Sequence, residues 1–286
     1  MTTVDPHRDP VLAVRKAEAV VLAPDATGSE ALLAVARECI AHWSANVDGV
    51  VDLRQPESLH QLRVGVRRFR SAVSLFRRMF EDDSRITWLS SEIRDLALPM
   101  GLPRDLDVLL AGDHVASLTT DQLAALRAAR ETAYDVVEET LASSGWRDAW
   151  RHVDRFLAKA PWDLAPDPPA REVAADALER RWRRVVQRGG RTAGLSAAEQ
   201  HRLRIEAKKL RYGCQFFADL YPADSLALAH AVSRLQDALG EVNDAVVAGK
   251  RLAAVGAEPP RVDAAGLLAE AEKAVAGVAA LPPFWR

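Results

Sequence analysis

The sequence predicts an all-α protein built by tandem duplication. Three observations lead there: apolar residues recur at steps of three and four along most of the chain, no segment shows a convincing period of two, and one 21-residue segment occurs twice. The chain has 286 residues, 49% hydrophobic and 27% charged, which allows a sizeable core and argues against extensive disorder.

Residues 1–28 carry Pro, Asp and Thr without periodicity and read as an N-terminal arm or linker. From Ser29 onward, Ala31, Leu32, Val35, Ala36, Cys39 and Ile40 follow helical spacing. Gln55-Pro56-Glu57 marks a helix start. Proline is tolerated in a first turn, where its missing N–H would be unpaired anyway, and an acid there complements the dipole. That helix is expected over 56–80, interrupted by Glu81-Asp82-Asp83, with further helices near 84–98, 103–117, 120–143 and 146–159. Pro161 and the run Pro166-Asp167-Pro168-Pro169 place a joint at 161–169, between a first repeat at 29–160 and a second at 170–286. Helices resume near 170–188, 196–220, 224–255 and 262–280, and Ser196 with Glu199 fits a capping box.

Residues 60–80 (HQLRVGVRRFRSAVSLFRRMF) align without a gap on 201–221 (HRLRIEAKKLRYGCQFFADLY). His60, Leu62, Arg63, Arg70 and Phe76 are identical to His201, Leu203, Arg204, Arg211 and Phe217. A similar downstream element follows each copy, Gly101–Asp105 in the first half and Gly240–Asp244 in the second. In each helix an apolar stripe (Leu62, Val66, Phe69, Val73, Phe76; Leu203, Ala207, Leu210, Cys214, Phe217) belongs to the core. About 100° away lies a second stripe: His60, Arg63, Arg67 and Arg70 in one copy, His201, Arg204, Lys208 and Arg211 in the other. Arg68 and Lys209 flank these rows, and Arg77 and Arg78 extend the first.

The charge is segregated. Residues 60–80 hold six Arg and no acid, and residues 201–221 sum to +3. The helix before the second copy, with Arg180, Arg181, Arg183, Arg184 and Arg188, makes 171–191 another +4. The chain as a whole is −2, so the remaining residues carry −15. Like charges three and four residues apart repel, so a one-sign row destabilises its helix unless an external polyanion supplies the missing charge. Arg outnumbers Lys 32 to six, and its planar fork grips phosphate oxygens in pairs. The leading helix of the first half has almost no basic residues, so the two halves need not contribute equally.

Other classes fit less well. No stretch of about 18 apolar residues exists, and the N-terminus lacks an apolar signal core, so a cytoplasmic protein is expected. Cys39 and Cys214 read as reduced core residues, and no zinc-spaced Cys/His set or cofactor motif occurs. Asp105, Asp107, Asn243 and Asp244 are expected to cap helices or pair with Arg before they would hold a metal. Tyr212 and the seven tryptophans are expected to pack in the core or at its rim.

The doubled H-x-L-R-[VI]-x-x-[RK]-[RK]-[FL]-R, with Arg104–Val108 (RDLDV) and Leu235–Gly240 (LQDALG), resembles the CHAD family, the conserved histidine α-helical domain. The resemblance runs over about residues 29–286. It implies one compact domain of two four-helix bundles related by pseudo-twofold symmetry, whose basic helices face a shared groove that binds inorganic polyphosphate. It also implies association with polyphosphate granules. The site residues expected on this basis are His60, Arg63, Arg67, Arg68, Arg70, Arg77, Arg183, Arg184, His201, Arg204, Lys208, Lys209 and Arg211. The cations would contact phosphates, while the paired histidines donate hydrogen bonds and gain charge near neutral pH. Two other classes stay open: an enzyme, or its accessory subunit, acting on phosphoanhydrides, and a helical nucleic-acid binder. The first lacks a carboxylate cluster on the basic helices, and the second lacks aromatics interleaved with the row apart from Tyr212.

Overall fold

A computed structural model describes residues 12–80, 84–160, 162, 166–190, 194–221, 225–259 and 262–286. The expected interruption at Glu81–Asp83, residue Pro161 of the joint and the first eleven residues of the arm lie outside them. The first half comprises α1 (Gly28–Ser44), α2 (Val47–Val51), α3 (Pro56–Phe76), α4 (Ser84–Ala97), α5 (Gly101–Leu110), α6 (Thr120–Ala142) and α7 (Ser144–Leu157). The second comprises α8 (Ala170–Gly189), α9 (Ala197–Phe216), α10 (Ser225–Ala253) and α11 (Ala264–Ala280). The protein is all-α, and the one β contact among the described residues is a bridge between Thr27 and Pro169. No helix among them is long and apolar enough to cross a membrane.

Local chemistry sets the two helix starts that matter most. Pro56 opens α3 with Glu57 in the same turn. At α9 the Ser196 hydroxyl accepts from the Glu199 amide, and the Glu199 carboxylate accepts from the Ser196 amide at 2.8 Å. The starts of α3 and α9 lie 141 residues apart, as do those of α4 and α10, which is the register of the aligned segments.

That register is lost after α4. The chain leaves the helix around Pro99, between α4 and α5, because proline lacks an N–H and disfavours helical geometry in the residue before it. Pro103 does not break a helix; it sits in the first turn of α5, where proline is tolerated. In the second half α10 runs straight through Gly240, so Gly240–Asp244 is helix rather than the turn suggested by its glycine. The expected helix at 103–117 ends at Leu110, and residues 113–117 form a separate 3₁₀ turn.

In the second half α8, α9, α10 and α11 close a ring, each packed on the next. In the first, α1 packs on α3, α3 on α4 and α4 on α7, while Trp43 of α1 meets Trp150 of α7 with ring centroids 4.1 Å apart. The pair α5 and α6 reaches across to α10 around a small separate core of Leu106, Leu109, Leu126, Ala133 and Leu252. At the centre α3 packs on α9, and both apolar stripes are buried there, with Phe76 against Phe217 at 5.4 Å.

The expected arm is packed on the first half from about Arg15 onward. Val20 and Leu22 are buried, Asn46 Nδ2 donates to the Arg15 carbonyl at 2.9 Å, and the Glu18 amide donates to Glu38 at 2.6 Å. The joint then returns the chain to this segment. The Gly28 amide donates to the Pro168 carbonyl and the Ala170 amide to the Ala26 carbonyl, so α1 and α8 start side by side.

Candidate functional site

Burial of the apolar stripes leaves the cationic stripes of α3 and α9 on one connected surface. Arg67 lies where the rows meet. Its Nε donates to the Tyr212 hydroxyl at 3.0 Å, and it is close enough to Arg204 and Lys208 to depress the pKa of both. The Tyr212 ring is buried and stacked on Phe216, as expected of a packing residue, while its hydroxyl reaches the row. Burial opposes ionisation of that hydroxyl, but Arg67 and Arg211 outweigh it and hold its pKa below the usual value.

What marks this surface is a concentration of cations without ion-pair partners. Among the described residues no carboxylate forms an ion pair with Arg63, Arg67, Arg70, Arg77, Arg204, Lys208 or Arg211. The Nε groups of Arg70, Arg204 and Arg211 are buried without a hydrogen-bond partner. Several cations elsewhere are paired. Arg54 reaches Glu131, Asp135 and Glu138, Arg130 pairs with Asp107 at 2.7 Å, and Arg251 pairs with Asp105 at 3.1 Å. Asp105 therefore pairs with Arg, as expected, and so does Asp107, which also accepts from the Tyr134 hydroxyl at 2.7 Å. All four expected polar residues lie within helices rather than at caps. No group of three His, Cys, Asp or Glu is placed to hold a metal among the described residues.

The pKa values record the same crowding. Burial, then Arg67, lowers Arg63 to about 10, with Asp105 pulling the other way and Arg104 adding a smaller push. Burial, then Arg67 and Arg204, lowers Lys208 to about 7. Burial and Arg104 lower His60 to about 4, and burial with Arg204 and Lys208 lowers His201. In the free protein both histidines are thus harder to protonate than an ordinary imidazole, through burial first and neighbouring cations second.

A cleft of about 380 Å³ opens where the C-terminal end of α3 meets α8 and α9, lined by Ser74, Arg77, Arg78, Arg180, Arg181, Arg184 and Lys209. A second, of about 260 Å³, adjoins it through Ser74 and Arg77 and adds Arg70 and Arg94. Glu206 meets three cations of the larger cleft: Arg181 at 2.9 Å, Arg184 at 3.7 Å and Lys209 at 3.7 Å.

The structure thus brings together most of the expected residues, and sets two apart. Arg68 is buried in the packing, 5% exposed, 3.5 Å from Glu38 and with its guanidinium 5.0 Å from the Phe216 ring centre. Arg183 is exposed and bonded to Glu179, which also holds Trp285 and Arg286. In their place Arg180 and Arg181 line the cleft. The signal was present: Arg181 continues the buried stripe Ala174, Ala177, Leu178, Val185 of α8, whereas Arg183 lies on the opposite face. Arg94 and Arg104 also join the surface, from helices whose place beside α3 the sequence does not reveal.

These features define a class: an all-α, internally duplicated protein that presents uncompensated cations along two packed helices. Residues 34–253 match the CHAD domain family, and the chain belongs to that family. The crystal structure of the CHAD domain from the plant Ricinus communis is similar to it, with a TM-score of 0.79 and 29% sequence identity, over 95% of this chain and 98% of that one. No curated protein matches the chain.

Proposed function

We propose that this protein binds inorganic polyphosphate along the rows of α3 and α9, without turning it over, and that it does so at polyphosphate granules. Membership of a family associated with polyphosphate binding supports the ligand class. The observation that carries the reading is the set of six row cations, Arg63, Arg67, Arg70, Arg204, Lys208 and Arg211, that have no carboxylate ion pair among the described residues. Like charges held together this closely raise the energy of the free protein, and a polyanion relieves it. A row at helical spacing places one cation about every 5 Å along the axis, which suits a chain of phosphates better than a compact anion. Binding displaces counterions and weakens steeply with salt, as for other polyanions.

The test is titration of long-chain polyphosphate onto wild type and Arg63→Ala/Arg204→Ala at two salt concentrations. Each arginine offers charge-assisted hydrogen bonds worth about 1.5–3 kcal/mol, so the double variant should bind at least about tenfold more weakly. Equal affinity would falsify the assignment. Phosphate release with Mg²⁺ or Mn²⁺ tests the non-catalytic part, since sustained turnover would favour an enzyme. Competition with single-stranded RNA at fixed salt tests the ligand class.

A further inference from the structure

The cleft between α3, α8 and α9 differs from the rows in shape, in charge and in its place in the duplication. We propose that it is a terminal-phosphate site: it takes the end of a phosphate chain, or a free short oligophosphate, and is distinct from the rows that take internal phosphates. The proposal rests on the polyphosphate reading only for the first of those two sources.

Shape comes first. Along the rows the cations lie in line, whereas here Arg77, Arg78, Arg180, Arg181, Arg184 and Lys209 converge from three elements on one cavity of about 380 Å³. The cavity is built rather than incidental. Arg181 is 5% exposed, its Nη1 donates to Glu206 at 2.9 Å, and its Nη2 donates to the Ser74 carbonyl at 3.0 Å and hydroxyl at 2.7 Å. Its Nε is buried without a partner. Arg180 Nη2 donates to the Leu75 carbonyl at 3.3 Å, and Asp176 pairs with both Arg180 and Arg78. Six cations against the two carboxylates Glu206 and Asp176 leave a surplus of four positive charges on fixed supports.

Charge comes second. An internal phosphate of a chain carries one negative charge. A terminal phosphate has a second ionisation near pH 6 and carries up to two at neutral pH. The end of a chain is thus its densest negative point, and a convergent cluster of guanidinium forks suits it better than an open row.

Position comes third. The starts of α1 and α8 lie 142 residues apart, so Arg181 and Arg184 correspond to Cys39 and His42, both buried, and the first half has no such cluster of arginines. The cleft and the smaller one adjoining it lie at the C-terminal end of the α3 row, which gives the surface a direction, as a chain-end site requires.

The test uses tripolyphosphate and calorimetry on wild type, Arg77→Gln/Arg184→Gln and Arg63→Gln/Arg204→Gln. None of the four changed residues is Arg181 or Glu206, Arg184 is the outer contact of Glu206 at 3.7 Å, and circular dichroism checks the fold. Tripolyphosphate should bind the wild type, weaken at least tenfold in the cleft variant and change less than twofold in the row variant. No binding to wild type, or equal weakening in both variants, overturns the proposal. Long chains with free ends are then compared with chains whose ends are blocked as phosphoramidates. A preference for free ends that the cleft variant loses assigns the site to chain ends. No preference, with tripolyphosphate still bound, assigns it to free short oligophosphates. Tripolyphosphate binding without long-chain binding would sink the reading of the rows and leave the cleft; the reverse would sink the cleft alone.

Discussion

The two halves of this protein solve one packing problem in opposite ways. Where α3 meets α1, Gly65 faces Trp43: a β-carbon on Gly65 would come within 2.8 Å of the Trp43 side chain and 3.0 Å of its backbone nitrogen. In the second half, α9 presents Glu206 at the position of Gly65, and α8 meets it with Arg181 and Arg184. One interface is a ring laid on bare backbone; the other is a buried ion cluster. The cationic rows on the neighbouring face persist in both. Duplication has thus left the row in place while the surface behind it diverged, and the charged version lines a cleft beside the row.

This contrast is broken most severely at Glu206. Removing one partner of a buried pair leaves the other charge uncompensated, at about 3–5 kcal/mol. Glu206→Gln should therefore lower the unfolding free energy by about that amount in urea denaturation at pH 7. Burial pushes the Glu206 carboxyl up, but Arg181, Lys209 and Arg184 outweigh it and hold the pKa below the usual value. Its contribution is present above the unfolded pKa and is lost as pH falls through the folded one. The gap between variant and wild type should close below about pH 4. The apolar counterpart behaves differently. Gly65→Ala overpacks the α1–α3 contact and should cost about 1–3 kcal/mol at either pH. A pH-dependent loss at Gly65 or a pH-independent loss at Glu206 would remove the distinction between the halves.

Much of this was legible in the sequence. The stripes, the Pro56 start, the Ser196 capping box and the doubled row follow from spacing alone, because helical periodicity fixes which residues share a face. What spacing does not fix is which neighbour each face meets. Arg67 and Arg68 are adjacent in sequence and about 100° apart on the helix, yet one joins the row while the other packs against Glu38 and Phe216. Nothing local distinguishes them. The break at Pro99 was legible as a break; that α5 and α6 then reach α10 of the other half was not, since that contact depends on chain geometry after the break.

A finer contrast lies within the row. Arg67 and Lys208 occupy the same register, but an arginine stays charged throughout the physiological range, whereas Lys208 is lowered to about 7. A bound polyanion raises the Lys208 pKa again, so binding above pH 7 takes up a proton. Affinity for long-chain polyphosphate should then fall up to about tenfold between pH 7 and 9, and less than one decade per unit at any point. Lys208→Arg makes the second half like the first and should flatten this dependence. A slope that survives the substitution would locate the titrating group elsewhere.

The smallest effect is on the free protein. Because the Lys208 pKa falls on folding, the unfolded chain binds more protons than the native state between about pH 7 and 10. By the linkage relation, this residue makes stability rise with pH across that window; below it, the cost of holding the ammonium among Arg67, Arg204 and Arg211 is present in full. Lys208→Met removes that cost. It should raise Tm by about 2–4 °C at pH 6.5, the equivalent of about 1 kcal/mol, with the gain shrinking toward pH 10. Arg67→Met should bring no such gain, because it also strips the Tyr212 hydroxyl of its donor. A substitution that stabilises the fold while weakening polyphosphate binding is what a row kept for an external anion requires, whereas a row kept for the fold would lose stability with each cation removed.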